Sequence, residues 1–257
     1  MWFDSADSTS LVLGPGATQV TTWQDKSGLG NNAVHWGANF ATWTSPTAGV
    51  QFAGNTLLSL PDGAFPYADS GYSYFIVAKT SFNGYMFLSV AGNSLGADHG
   101  LFVRCQGDGT IDTFWWFDDV NTQNSYAANT PFLFETHYLG NLGTASNPTG
   151  ANARWSLLNM GQTAPGTWLN PATQFSAATT AWVQANTNNF LGGGPGTWDT
   201  GSMTNFMNGA IFELVVFNSS VSATQQATVE GYLAWKWGTQ SVLQPSHPYA
   251  AQGPCWH

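Results

Sequence analysis

Hydrophobic and polar positions along this chain alternate in short runs, and one segment near the C-terminus repeats with a helical period. From Gly209 to Asn218 almost every position between Ala210 and Phe217 is apolar, which predicts a strand covered on both faces. Further on, Val229, Leu233 and Trp237 recur at i, i+4 and i+8, the spacing of a single helix face. Ser222 followed three residues later by Gln225 has the form of a capping box. Gly238 supplies the helix stop, and Pro245 and Pro248 keep the tail extended. Upstream the apolar runs are shorter and predict strands over Val20–Trp23, Val50–Ala53, Thr56–Leu60, Tyr74–Lys79, Tyr85–Val90, Leu101–Gln106, Thr110–Phe117, Phe132–Tyr138, Arg154–Asn159 and Asn189–Leu191. Gln106-Gly-Asp-Gly109 is the clearest hairpin signal. Asp25 to Asn32 reads as a longer turn, with Gly28 and Gly30 suited to positive φ and Asp25 and Asn31 to local backbone hydrogen bonds. Residues 140–153 read as a surface loop, and 163–187 show no assignable pattern. Many short strands without helices between them predict an all-β fold, a sandwich or jelly roll. No linker or fixed-period repeat divides the chain, so residues 1–257 are expected to form one domain.

Composition narrows the setting. Hydrophobic residues make up 43% of the 257 positions, with 13 Trp, 17 Phe and 8 Tyr, enough to bury a sizeable core. Charged residues are only 7%, far below the usual quarter, so solubility rests on Asn, Gln, Ser, Thr and Gly. That balance is common in extracellular and virion β-proteins. The net charge is −9, and the five cations, Lys26, Lys79, Arg104, Arg154 and Lys236, are scattered singly. Counterion-release binding to nucleic acid needs clustered cations, and an anionic membrane surface needs the same; neither is expected as a partner. No apolar run approaches a membrane span. Met1 to Asp7 has no basic n-region or apolar h-region, so the expectation is a leaderless or already processed protein. The two cysteines, Cys105 and Cys255, either form a disulfide pinning the tail or remain as buried thiols.

Both ends of the chain carry a resemblance. Trp2-Phe-Asp-Ser-Ala-Asp7 with Trp23-Gln-Asp-Lys-Ser-Gly-Leu-Gly-Asn-Asn-Ala33 resembles the opening of laminin G-like jelly-roll modules of the concanavalin A-like lectin/glucanase superfamily. Gly209 to Asn218, Glu230-Gly-Tyr-Leu-Ala-Trp-Lys-Trp-Gly238 and His247-Pro-Tyr249 resemble the closing strand, helix and tail of the same modules. The combination is similar to copies in phage, large DNA virus and bacterial surface proteins. It implies a two-sheet antiparallel jelly-roll β-sandwich with one short C-terminal α-helix and with the terminal segments side by side.

Candidate chemistry is sparse. A glycosidase needs two carboxyl groups flanking the scissile bond, and the laminarinase-like members of the resembled superfamily carry theirs as alternating acids on one strand. Here there are three glutamates, Glu135, Glu213 and Glu230, none with an acid two or four positions away. Glu135 and His137 share a strand face and are the best acid–base pair; a solvated or cross-strand pair is the simpler reading. No Gly-x-Ser-x-Gly elbow is present, and the histidines are read as structural or surface residues. The resemblance also implies a candidate Ca²⁺ site of Asp and Asn oxygens, for which Asp98, Asp108 and Asp112 are the candidate ligands; Asx-turns are the alternative. Asp25 is assigned a structural role in its turn, and Trp237 one on the helix face. Glu213 lies mid-strand, on the face of Ile211, Val215 and Phe217 by period-two alternation. A buried carboxylate requires a partner, and Lys26, Lys236 or a Trp indole N–H would serve. Sugar-stacking aromatics are sought in the loops, at Trp115, Trp116, Trp168, Trp182 and Trp198, with Asn121 and Asn124 close by; core or inter-subunit packing is the alternative for each. The expected function is a non-catalytic glycan-binding or adhesion module on a virion or extracellular surface. The alternative is an architectural virion component (capsid decoration, fibre or tail) that contacts neighbouring subunits or copies of itself; a glycosidase comes third.

Overall fold

The computed structural model describes residues 1–65, 71–81, 86–92, 100–114, 120–122, 125–138, 154–159, 186–195 and 203–254. In chain order its strands are β1 (Trp2–Asp4), β2 (Leu11–Leu13), β3 (Val20–Trp23), β4 (Ala33–Trp36), β5 (Val50–Ala53), β6 (Leu57–Leu60), β7 (Tyr72–Thr80), β8 (Met86–Gly92) and β9 (Gly100–Cys105). They continue with β10 (Ile111–Phe114), β11 (Val120–Asn121), β12 (Phe132–Tyr138), β13 (Arg154–Leu158), β14 (Asn186–Leu191), β15 (Gly193–Pro195), β16 (Met203–Phe206) and β17 (Asn208–Phe217), and the helix α1 spans Ala223–Lys236.

Two antiparallel sheets face each other. One runs β1-β17-β7-β12-β13, with β5 also paired to β17; the other runs β11-β10-β9-β8-β14-β6-β4-β3-β2. Their inner faces meet in one apolar core. Phe3, Tyr74, Ile76, Phe132, Phe134, Ile211 and Leu214 come from the first sheet, and Trp23, Leu58, Leu88, Val103, Ile111 and Leu191 from the second. This is the two-sheet antiparallel sandwich that the terminal motifs imply.

The outer face of the first sheet is apolar too, because α1 covers it. Phe75, Val77, Leu133, Ala210, Phe212 and Leu233 form a second cluster, joined by Val215, Phe217, Val229 and Trp237. That explains why β7, β12 and β17 read as nearly continuous apolar runs rather than alternating ones. The helix begins with the capping box of Ser222 and Gln225 and ends at Gly238 in a left-handed conformation, φ +71°. Thr239 N–H closes the end onto the Ala234 carbonyl. The tail then returns to α1. Trp235 Nε1 donates to the Tyr249 carbonyl at 2.8 Å, and the Tyr249 side chain packs where Gly231 lacks a Cβ. The Glu230-Gly231 and His247-Pro-Tyr249 motifs are therefore two halves of one contact.

One reading of the sequence needs correction, a strand stands where none was assigned, and one open choice is decided. Strict alternation would place Ile211 with Glu213, but the β17–β7 register shifts between them. The bulge leaves Ile211 in the inner core while Phe212 joins the helix-covered cluster; an extra residue in one strand re-aims the side chains around it. Ala33–Trp36, which follows the Asp25–Asn32 turn and had no assignment, is strand β4, paired with β3 and β6. Cys105 is a free, buried thiol, and burial pushes its pKa up to about 12; Cys255 lies outside the described residues.

Candidate functional site

The terminal segments converge on a carboxylate network. β1 pairs with β17 so that Asp4 lies opposite Glu213. Glu213, fully buried, accepts through Oε1 from Trp2 Nε1 at 2.7 Å and from the Tyr232 hydroxyl at 2.9 Å. Its Oε2 accepts from Trp237 Nε1 at 2.7 Å and faces Lys236 Nζ at 2.8 Å. Lys236 also reaches Asp4 at 2.6 Å, and Lys26 bridges Asp4 at 2.9 Å and Asp7 at 2.8 Å. Asp25 organises the adjoining turn by accepting from the backbone N–H groups of Trp2, Ser27 and Asn31. Asn32, rather than Asn31, supplies the side chain that closes the turn, accepting from Asp25 N–H.

The ionisation of this network follows its contacts. Burial alone would raise the Asp4 carboxyl, but the hydrogen bonds from Lys236 and Lys26 outweigh it and hold the group below its ordinary value. Asp7, bonded by Lys26 and Thr9, is drawn down to about 2. Glu213, with four donors around two oxygens, is saturated as an acceptor. Its chemistry is to tie β17, α1 and the N-terminal strand together, not to transfer a proton.

A second polar cluster lies beneath α1. Ser73 Oγ sits 2.8 Å from His137 Nδ1, and His137 Nε2 sits 2.9 Å from Glu135 Oε2. Ser73, Glu135 and His137 are all buried, and His137 lies opposite Ser73 in the β7–β12 register, so of the two simpler sequence readings the cross-strand contact holds and the solvated pair does not. Burial, reinforced by the charge of neighbouring Glu230, raises the Glu135 carboxyl well above its usual range. Burial likewise pushes His137 down to about 3, so burial disfavours the charged form of both partners despite their ion-pair geometry. The order serine, histidine, acid is that of a hydrolase triad. Here, however, the serine oxygen is engaged by the Val221 N–H at 3.1 Å, and no substrate reaches a fully covered hydroxyl. Glu230 in turn accepts from Gln226 at 2.9 Å and meets His247 Nε2 at 3.0 Å, which anchors the tail.

The candidate Ca²⁺ ligands do not converge among the described residues. Asp108 Oδ1 accepts from the Thr110 N–H and hydroxyl, an Asx-type turn at the tip of the β9–β10 hairpin. Asp112 is buried and bonded by Arg104 and Gln106, each at 3.0 Å. Asp98 lies outside the described residues. No group of three His, Cys, Asp or Glu side chains suited to a metal ion occurs among the described residues. Of the proposed sugar contacts, Asn121 stands opposite Asp112 in the β10–β11 register; Trp115, Trp116, Trp168, Trp182, Trp198 and Asn124 lie outside the described residues.

Two clefts open on the outer face of the first sheet, on either side of α1. One, of about 410 Å³, is lined by Trp2, Val215, Phe217, Val229 and Tyr232. The other, of about 350 Å³, lies at the C-terminal end of the helix and includes Lys79, Asn129, Phe212 and Trp237. Neither was legible in the sequence. Their linings come from elements far apart in the chain, and Phe212 reaches the second only through the bulge. Tyr232 and Ser73 were also missed as polar partners, whereas the indole N–H expected at Glu213 is supplied by both Trp2 and Trp237. For the second network the sequence offered the Glu135–His137 face pair and the i, i+4 spacing of Gln226 and Glu230.

No protein-family model matches this chain, and no curated protein matches it. Solved structures do. The CBM40 module of the Ruminococcus gnavus IT-sialidase, solved bound to α2,3-sialyllactose, is 15% identical, with a TM-score of 0.50 over 69% of this chain and 94% of the module. A mutant Trypanosoma rangeli sialidase displaying trans-sialidase activity is 12% identical, with a TM-score of 0.53 over 86% of this chain. This chain spans only 32% of that sialidase. Domains LG4-5 of the mouse laminin α1 chain are 18% identical, with a TM-score of 0.43 over 71% of this chain and 46% of that one. The two-sheet fold is thus shared with the CBM40 module and with part of the sialidase. Among the described residues no helix is long and apolar enough to cross a membrane.

Proposed function

We propose that the chain is a non-catalytic recognition module, one domain that binds glycans on an extracellular or virion surface. The observation that carries this reading is the superposition on a carbohydrate-binding module over 94% of that module's length. The carboxylates point the same way. Glycoside hydrolysis calls for two carboxyl groups in an open cleft about 5–10 Å apart. Glu135 is instead buried beside Glu230, and Asp4 and Glu213 are bound to lysines. A chain with only 7% charged residues and many Asn, Gln, Ser and Thr suits hydrogen bonding to sugar hydroxyls. The loop aromatics Trp116 and Trp198 are the proposed stacking residues, with Trp115, Trp168, Trp182, Asn121 and Asn124 as further contacts.

The test is a glycan array with the folded protein, repeated with Trp116→Ala and Trp198→Ala. Binding to a defined set of glycans that weakens in at least one variant is expected. A flat array from a folded protein overturns the proposal. If that protein also assembles into a stable oligomer, the architectural role with neighbouring subunits as partners takes its place.

A further inference from the structure

We infer that the cleft at the C-terminal end of α1 is a second binding site, selective for a saccharide that carries a carboxylate. The inference rests on the glycan-recognition reading above and adds a place and a ligand class to it.

The cleft's construction is specific. Its aromatic lining is Phe212 and Trp237, whose rings lie 5.2 Å apart and tilted by 53°. Phe212 is available only because the β-bulge turns it outward from the core. Trp237 is held by its indole N–H on Glu213. On the opposite side Asn129 sits in a left-handed conformation, φ +59°, fixed by its N–H on the Thr80 carbonyl at 2.8 Å. Thr47 adds a hydroxyl at the rim. A volume of about 350 Å³ is at the small end of the range for small-molecule pockets. Apolar ring faces with a few amide and hydroxyl groups around them match the two sides of a sugar ring.

The charge pattern selects the acid. Side chains of four of the chain's cations are described. Lys26, Lys236 and Arg104 each face carboxylates. Lys79 has no carboxylate partner among the described residues, and its ammonium lies 5.7 Å from the centre of the Phe212 ring, inside the cleft. In a chain of net charge −9, a cation left uncommitted in an aromatic cleft is poised for a ligand anion. The neighbouring carboxylates do not cancel it, since Asp4 and Glu213 are both bound by Lys236. The exposed end of α1 is blunted as well, because the Leu233 and Ala234 carbonyls accept from Trp237 and Thr239. Lys236 also lines the cleft but is engaged by Asp4 and Glu213, so the one uncommitted lysine answers to one carboxylate, the charge of a uronic or sialic acid, rather than to a phosphate dianion.

The experiment is NMR titration of the intact chain with methyl glucuronoside and methyl sialoside, with methyl glucoside as the neutral control, following the Trp237 indole N–H and the Asn129 amide. Shifts at both signals with at least one acidic glycoside are expected. Lys79→Met keeps the apolar stem against Phe212 and removes the charge. It is expected to weaken acid binding by about tenfold, the low end for a charge-assisted hydrogen bond, and to leave any neutral binding unchanged. Asn129→Gly keeps the backbone conformation and is expected to weaken it less. Acid binding unchanged in Lys79→Met, or shifts confined to other parts of the molecule, overturns the site while leaving glycan recognition standing. An array of neutral glycans only does the same. Failure of every saccharide to bind overturns both.

Discussion

Replacing Glu213 with alanine removes, in one step, the acceptor of two indole N–H groups and one phenol hydroxyl and leaves Lys236 with Asp4 and the Tyr232 hydroxyl. Each orphaned buried donor costs about 1–3 kcal/mol. The four share one carboxylate, so their effects do not add. Trp2, Tyr232 and Trp237 are only partly buried, so water recovers some of the loss. Breaking one side of a buried ion pair costs about 3–5 kcal/mol, and about 4 kcal/mol is the expected loss here. For a domain of this size that lowers Tm by roughly 8–16 °C, at about 2–4 °C per kcal/mol. Urea unfolding followed by tryptophan fluorescence, with thermal melts by circular dichroism, measures it. Glu213→Gln is the informative companion. Its amide keeps one acceptor but turns an NH₂ toward donors, so it is expected to recover less than half of the loss. A destabilisation below about 1 kcal/mol for Glu213→Ala would show that the three elements hold together without the carboxylate, and the account of the terminal clasp would fall.

Three further outcomes are expected. Glu135 has a folded-state pKa raised above its ordinary 4.5, so its contribution to stability is complete below that pH and is lost as pH rises toward the folded value. The stability of Glu135→Gln relative to the native chain should therefore increase as pH rises above the ordinary carboxylate range, with a slope of at most about 1.4 kcal/mol per pH unit; parallel stability curves would refute the raised carboxyl. Gly192 has φ +87°, and a Cβ there would fall on the Phe52 ring, so Gly192→Ala should cost about 3 kcal/mol from combined strain and overpacking. Gly54→Ala, at φ +79° with open space around it, should cost only about 1–2 kcal/mol in the same denaturation assay. Cys105, buried with a pKa near 12, should resist a thiol-specific disulfide reagent at pH 8 in the folded protein and react on unfolding, as read in a Cys255→Ser background; rapid labelling of the native chain would contradict its burial.

Where a residue's fate depended on neighbours in sequence, it was legible in advance. The capping box, the Gly238 stop and the β9–β10 hairpin are local devices, and their residues sit at fixed spacings. Strands Val50–Ala53 and Phe132–Tyr138 carry the bounds that their apolar runs mark. Glu213 could be assigned a partner because a carboxylate in the middle of an apolar strand has no cheap alternative. Glu135 and His137 were legible as a pair, but whether they met water or a helix was not, because nothing in a strand says what will lie across it.

The sequence by itself thus determined the all-β class and the closing helix, because alternation, capping and turn chemistry act over a few residues; the meeting of its ends was what the resemblance of the terminal motifs implied. Only the tertiary structure decided the rest. The β17 bulge divides Ile211 from Phe212, α1 buries the Glu135–His137 pair, and the Lys79 cleft gathers β7, β17, the end of α1 and the approach to β12. Each of these depends on which surfaces are brought together across the sheet, and contact between segments more than a hundred residues apart is set by packing, which leaves no periodic mark on either segment.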